Sequence, residues 1–262
     1  MNDLVGKVAL ITGASTGIGA ATAIVFARLG AKLSLTGRNE ANLKRTSDEC
    51  VHVQPAKTEQ PLMVRADVTS EADVNKLVDA TIKKFGRLDI LVNNAGINER
   101  GSIESTSLEQ YDRIMNVNVR SVYHLTMLCV PYLIKTRGNI VNVSSIAGSR
   151  SLSNEIAYSV SKSALDQLTS CAALDLASKG VRVNSVNPGF IFTDIHTRGG
   201  MSDEEYAKFI EKIKGGVHPL RRGGDPEEVA QAIAFLAADK ASFITGEYLH
   251  VDGGWHATTS AG

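Results

Sequence analysis

Cysteine, aromatic residues and surplus charge are all scarce in this 262-residue chain, and each shortage removes a class of protein. Cys50, Cys129 and Cys171 are too few and too widely spaced for a disulfide framework or a zinc site. Cys129 and Cys171 fall in apolar helical stretches and are expected to be buried core residues. Basic and acidic side chains number 28 each, so no basic footprint invites nucleic acid. No apolar run approaches the ~20 residues of a membrane span. The opening Met1-Asn-Asp-Leu-Val-Gly-Lys7 leads straight into an apolar run, which predicts no cleaved leader and a cytoplasmic location. What remains is ordinary globular material, 43% hydrophobic and 21% charged, of a length that fits one α/β domain over 1–262.

The first two-thirds alternates short β-rich runs with helical patterns, the mark of a parallel sheet covered on both faces. Strands are expected at Val8–Ile11, Leu33–Thr36, Leu62–Arg65, Ile90–Val92, Ile140–Val143, Val181–Val186 and Tyr248–Val251. Helices are expected at Gly17–Leu29, Glu40–Glu49, Glu71–Phe85 and Ser107–Ile134, with Val51–Gln60 as a loop. Phe190–Arg222 breaks this rhythm. There Gly199-Gly200 and Gly215-Gly216 flank a short amphipathic helix near Asp203–Lys214, as the hinges of a lid would. Asp225-Pro226 reads as a helix cap followed by proline at the first helical position. Two helical stretches are almost without charge: Val119–Ile134 carries only Arg120, and Ala157–Leu174 only Lys162 and Asp166. A helix that covers a sheet needs a single apolar stripe, so a second copy of the chain is the expected cover for the other side.

Two constellations carry chemistry. Tyr158 and Lys162 lie one turn apart on one helix face. A free tyrosine titrates near pH ~10, and a nearby ammonium is expected to lower that value and make an acid/base that serves a carbonyl or alcohol oxygen. Ser145 follows the apolar run Ile140–Val143 and is placed to hydrogen-bond the same oxygen, with Ser144 as the alternative register. Near the N-terminus, Val8–Ile11 runs into Gly13-x-x-x-Gly17-x-Gly19 and then a helical pattern. Glycines there let the backbone approach a pyrophosphate, and the helix N-terminus meets its charge.

With Asn93-Asn-Ala-Gly96 and Asn118 between them, these motifs run in an order that closely resembles the classical short-chain dehydrogenase/reductase family over essentially the whole chain. The resemblance implies a single-domain Rossmann fold, a doubly wound seven-stranded parallel sheet with helices on both faces, and an NAD(P)-dependent oxidoreductase. It implies Asn118, Ser145, Tyr158 and Lys162 as the catalytic set, with Asn116 the weaker match for the asparagine. Lys162 would also hold the nicotinamide ribose. It implies cofactor contacts from Gly13, Ser15, Thr16, Gly17, Ile18 and Gly19, from Asp67 and Val68 at the adenine, and from Asn93, Asn94, Ala95 and Gly96 beside the ribose. Pro188, Gly189, Ile191 and Thr193 would face the nicotinamide, and 190–222 would be the substrate loop. The two charge-poor helices would form a dimer interface, with the C-terminal segment completing a tetramer.

Cofactor choice turns on Gly37-Arg38. NAD binders usually place a carboxylate there for the ribose 2′-hydroxyl; this chain has none, and offers a guanidinium to a 2′-phosphate. NADP(H) is therefore expected over NAD, although Thr16 leaves the glycine loop without a second cation. Ile97, Asn98, Ile146, Leu152, Glu155, Phe190, Ile191, Met201 and Phe209 predict a mainly apolar pocket for a small carbonyl or alcohol, with polar points that suit hydroxylated substrates. Arg100, Arg198, Arg221 and Arg222 are the residues a ketoacyl-thioester reductase would use to hold an acyl carrier. The enoyl reductase branch usually spaces its tyrosine and lysine more widely. A non-catalytic NADP-binding protein would typically have lost one of that pair.

Overall fold

The computed structural model describes residues 3–55 and 59–258. Its seven parallel strands are β1 (Val8–Ile11), β2 (Lys32–Gly37), β3 (Leu62–Arg65), β4 (Ile90–Asn93), β5 (Asn139–Val143), β6 (Arg182–Pro188) and β7 (Tyr248–Val251), in the order β3-β2-β1-β4-β5-β6-β7. The register sets Leu10 opposite Ser34 on β2 and Leu91 on β4. Successive side chains of a strand point to opposite faces, and β1 shows the consequence. Ala9 and Ile11 join one buried cluster with α1 (Gly17–Arg28), α2 (Glu40–Val53) and α9 (Pro226–Ala237), whereas Val8 and Leu10 join another with α3 (Glu71–Phe85), α5 (Ser121–Thr136) and α6 (Ile156–Ala177). Both faces being covered is why the strands read as continuous apolar runs.

The expected strands all form, with ends displaced by one or two residues. α2 continues to Val53, into the stretch expected to be a loop, and 56–58 lie outside the described residues. The single helix expected over Ser107–Ile134 is interrupted. α4 (Leu108–Met115) passes through a π-helical turn at Asn116–Arg120 before α5, and such turns often mark functional sites. Cys171 is also a correction: it is exposed, because it sits on the outward side of α6, while Cys50 and Cys129 are buried. Burial pushes the Cys50 thiol up to about 12 and raises that of Cys129 further. Beyond β6 come α7 (Ile195–Arg198) and α8 (Asp203–Lys212), the latter opened by a reciprocal cap between Ser202 and Glu205. Gly200 and Gly216, on either side of α8, both take the left-handed backbone that glycine permits.

Candidate active site

The strand order reverses between β1 and β4, and open α/β sheets bind ligands outside the carboxyl ends of strands at such a point. The loops there are built for close approach. Gly13 has φ +64°, and a Cβ on it would stand 2.7 Å from Asn94 Nδ2; one on Gly19 would stand 2.4 Å from the Gly13 carbonyl. Thr12 braces the two loops. Its hydroxyl accepts from the backbone N–H of Asn94 and Ala95 at 2.9 Å each, while Asn94 Nδ2 donates to the Thr12 carbonyl at 2.9 Å. α1 starts at Thr16 with no side-chain cap, whereas Asn39, Ser70 and Ser107 cap α2, α3 and α4. A glycine cradle and an uncapped helix N-terminus fit a dinucleotide pyrophosphate.

At the outer end of this cleft, Arg38 follows β2 and is exposed. Gly37 is packed on the glycine loop, and a Cβ there would meet Ser15 Oγ at 2.9 Å. Burial works against ionisation of Asp67, but hydrogen bonds from the Thr69 N–H and hydroxyl, with the Arg38 charge, hold its carboxyl below the usual value.

At the inner end, α6 brings Tyr158 and Lys162 to the cleft wall, exposed only 8% and 4%. Ser145 ends the loop after β5 and caps a short turn by accepting from the Ala147 N–H at 3.1 Å. The Tyr158 phenol is raised well above its ordinary value by burial, against a lowering by its Ser145 hydrogen bond; the nearby Glu155 raises it further. The expected lowering by the lysine is therefore overridden by desolvation. Lys162 is itself lowered to about 8 by burial, with Asp166 acting against that. Its Nζ donates to the Val143 carbonyl at 2.9 Å and lies 5.6 Å from the Tyr158 ring centre.

Asn118 is fully buried on the π-helical turn. Its side chain accepts from the Ile97 N–H and donates to the Ile97 carbonyl, both at 2.9 Å, and donates to Ser161 Oγ at 3.0 Å. A Cβ on Gly96 would meet Asn118 Oδ1 at 3.3 Å and Lys162 Nζ at 3.6 Å, so the three converge. The alternatives fall away: Ser144 donates to the Lys162 carbonyl, and Asn116 is only half-buried.

A cleft of about 640 Å³ joins the two ends and is lined by every expected cofactor residue except Asn93 and Gly19. Asn93 is turned into the sheet, donating to Asn142 Oδ1 at 2.9 Å, and Gly19 lies beneath Gly13. The expected substrate residues line it too, apart from Met201, which sits at the start of the α8 segment. Phe190 anchors α8 over the cleft through rings of Tyr206 and Phe209 at 5.8 and 5.2 Å. Four lining residues were not expected: Asp194, Ile195, Arg198 and Trp255. Trp255 arrives from beyond β7, and no local pattern in the sequence ties that segment to the cleft.

Residues 13–256 match the family model described as enoyl-(acyl carrier protein) reductase. The chain is 39% identical to a 3-oxoacyl-[acyl-carrier-protein] reductase FabG of Thermotoga maritima, over 96% of this chain and 98% of that one. It is 37% identical to a cyclohexanol dehydrogenase of an Acinetobacter species, over 97% and 96%. Among solved structures, a levodione reductase superposes with a TM-score of 0.92 at 31% identity, covering 97% of this chain and 99% of that one.

Proposed function

The chain belongs to the short-chain dehydrogenase/reductase family, and on that premise we propose that it interconverts a carbonyl and an alcohol with NADP(H) as hydride carrier. Members of this family are oxidoreductases that bind nicotinamide cofactors. The observation that carries the finer reading is the convergence of Tyr158, Ser145 and Lys162 on one cleft, facing a glycine cradle.

A bound nicotinamide supplies or takes the hydride at the substrate carbon. The remaining work falls to the protein. In the reducing direction the Ser145 hydroxyl holds the carbonyl oxygen, and the Tyr158 phenol gives its proton to that oxygen as the C–O π pair moves onto it. In the oxidising direction the same phenolate takes the alcohol proton. Burial keeps Tyr158 a phenol at neutral pH, which favours reduction. Lys162 holds a positive charge below the phenol and hydrogen-bonds the cofactor ribose, and Asn118 keeps the Ile97 turn and α6 together behind it.

NADP(H) is preferred because Arg38 follows β2 with Gly37 where a carboxylate would repel a 2′-phosphate. The substrate pocket is mainly apolar, with Asn98 and Glu155 as polar points; the Asn98 Oδ1 is buried without a partner among the described residues, so a substrate hydroxyl would find an acceptor there. A ketoacyl-thioester reductase is the second reading, favoured by the similarity to FabG. Against a basic docking rim, Arg100, Arg198 and Arg222 are engaged with Glu205, Asp194 and Glu228. The close Tyr158–Lys162 spacing speaks against an enoyl reductase. Tyr123, Met127, Val160 and Leu174 are exposed on α5 and α6, which suits a homodimer or homotetramer built on those helices.

The test is loss of reduced-nicotinamide absorbance with purified protein, a panel of ketones and aldehydes, and either NADPH or NADH. Turnover favouring NADPH supports the reading; binding of cofactor with no turnover of any carbonyl argues for a binding protein.

A further inference from the structure

The glycine loop lacks a cation of its own, since Thr16 stands between Ser15 and Gly17. The fold brings one in from elsewhere. Gly17 lies against the substrate loop, and a Cβ on it would meet Thr193 Cγ2 at 3.1 Å. Five residues on, Arg198 at the end of α7 reaches back over the same loop. Its Nη1 and Nη2 stand 3.5 and 3.4 Å from Thr16 Oγ1, and Nη2 donates to Asp194 at 2.8 Å. Arg198 lines the cofactor cleft although it is distant from Thr16 in sequence.

Three details separate this from an ordinary surface arginine. The contacts to Thr16 are long, so the hydroxyl does not saturate the guanidinium, which has five donors. Thr16 is the cap position of α1 and gives it no side-chain cap, so the guanidinium points at a helix end whose amides await an anion. Ser15, the next residue, abuts Gly37, which places Arg38 on the other side of the same short loop. Two guanidinium groups therefore flank the loop, one fixed to the sheet and one carried on the segment that covers the cleft.

We propose that Arg198 is a phosphate contact of the cofactor site, contributed by the substrate loop, and that it supplies the second positive charge missing from the glycine loop. This rests on the assignment of the cleft to a dinucleotide. Bound phosphate would draw Arg198 from Asp194 and tie the loop down over the cofactor, so that binding of the dinucleotide shapes the substrate pocket. Either the pyrophosphate or a 2′-phosphate offers the chemistry.

The side chain is 60% exposed, so Arg198→Ala is expected to fold normally. Trp255 is the chain's single tryptophan and lines the cleft, which makes its fluorescence a direct binding signal without turnover. NADPH and NADH would be titrated into the wild type, Arg198→Ala and Arg38→Ala. A charge-assisted contact predicts that Arg198→Ala weakens binding by about tenfold or more. A loss for NADPH alone assigns the 2′-phosphate, and an equal loss for both assigns the pyrophosphate; either supports the proposal. Unchanged affinity for both, with a wild type that binds, overturns it and leaves the cofactor assignment standing. A wild type that binds neither dinucleotide overturns the assignment itself.

Discussion

Placing aspartate at Gly37 should turn cofactor preference toward NADH, and the structure shows how the experiment must be arranged. A side chain at 37 starts 2.9 Å from Ser15 Oγ and 3.1 Å from Ser15 Cβ. The serine hydroxyl can rotate away, but its Cβ must also give by a few tenths of an ångström, so Gly37→Asp alone will weaken both dinucleotides. That steric cost is common to the two and cancels in their ratio. The ratio reports only the new carboxylate, which accepts from the 2′-hydroxyl of NADH and repels the 2′-phosphate of NADPH. A hydrogen bond to a charged group contributes roughly 1.5–3 kcal/mol, about a tenfold to hundredfold change in relative affinity before screening at this exposed edge. Gly37→Asp with Ser15→Gly removes the crowding and should restore absolute NADH affinity while keeping the altered ratio. The assay is fluorescence titration with each dinucleotide in both variants. An NADPH/NADH ratio that matches the wild type in both would refute the role given to the Gly37-Arg38 turn.

The reduction rate should stay level below pH about 8 and fall above it, because the Lys162 ammonium, lowered to about 8, is lost there while Tyr158 remains a phenol; a stopped-flow pH series checks this. Glu228 pairs with Arg222 in two hydrogen bonds and caps α9, which holds its carboxyl down at about 2 from an ordinary 4.5. A depressed acid stabilises the fold above its unfolded value, and that contribution is lost as pH falls toward the folded one. Glu228→Gln should therefore cost about 0.5–1 kcal/mol at pH 7, from the cap and an exposed ion pair, and progressively less below about pH 4.5, as read from urea midpoints. A thiol reagent should modify at most Cys171 in the native protein and all three cysteines in guanidinium, since Cys50 and Cys129 are buried and shifted upward.

Much of the fold was legible because each βα unit announces itself: a short apolar run, a turn, then a helical pattern. Tyr158, Lys162 and Ser145 were legible for a related reason, since one helix and the loop before it bring them together. Failures came where distance in sequence or a local irregularity decided the outcome. The π-helical turn at Asn116–Arg120 has no signature in periodicity, yet it is what turns Asn118 inward. Asn93 looked like its neighbour Asn94, but strand alternation sends one side chain into the sheet and the other to the loop brace. Trp255 and Arg198 reach the cleft only through the folded path of the chain. The phenol's titration depends on burial, and a lysine four residues away says nothing of that.

The most direct test of the central claim is Tyr158→Phe, measured for cofactor binding and for carbonyl reduction in the same preparation. The ring is retained and only the phenolic proton is removed. NADPH affinity should be unchanged while turnover falls by about 10²–10⁴-fold, the usual worth of a positioned acid. A variant that binds NADPH and still reduces the carbonyl at the wild-type rate would show that the proton comes from elsewhere, and would contradict the account.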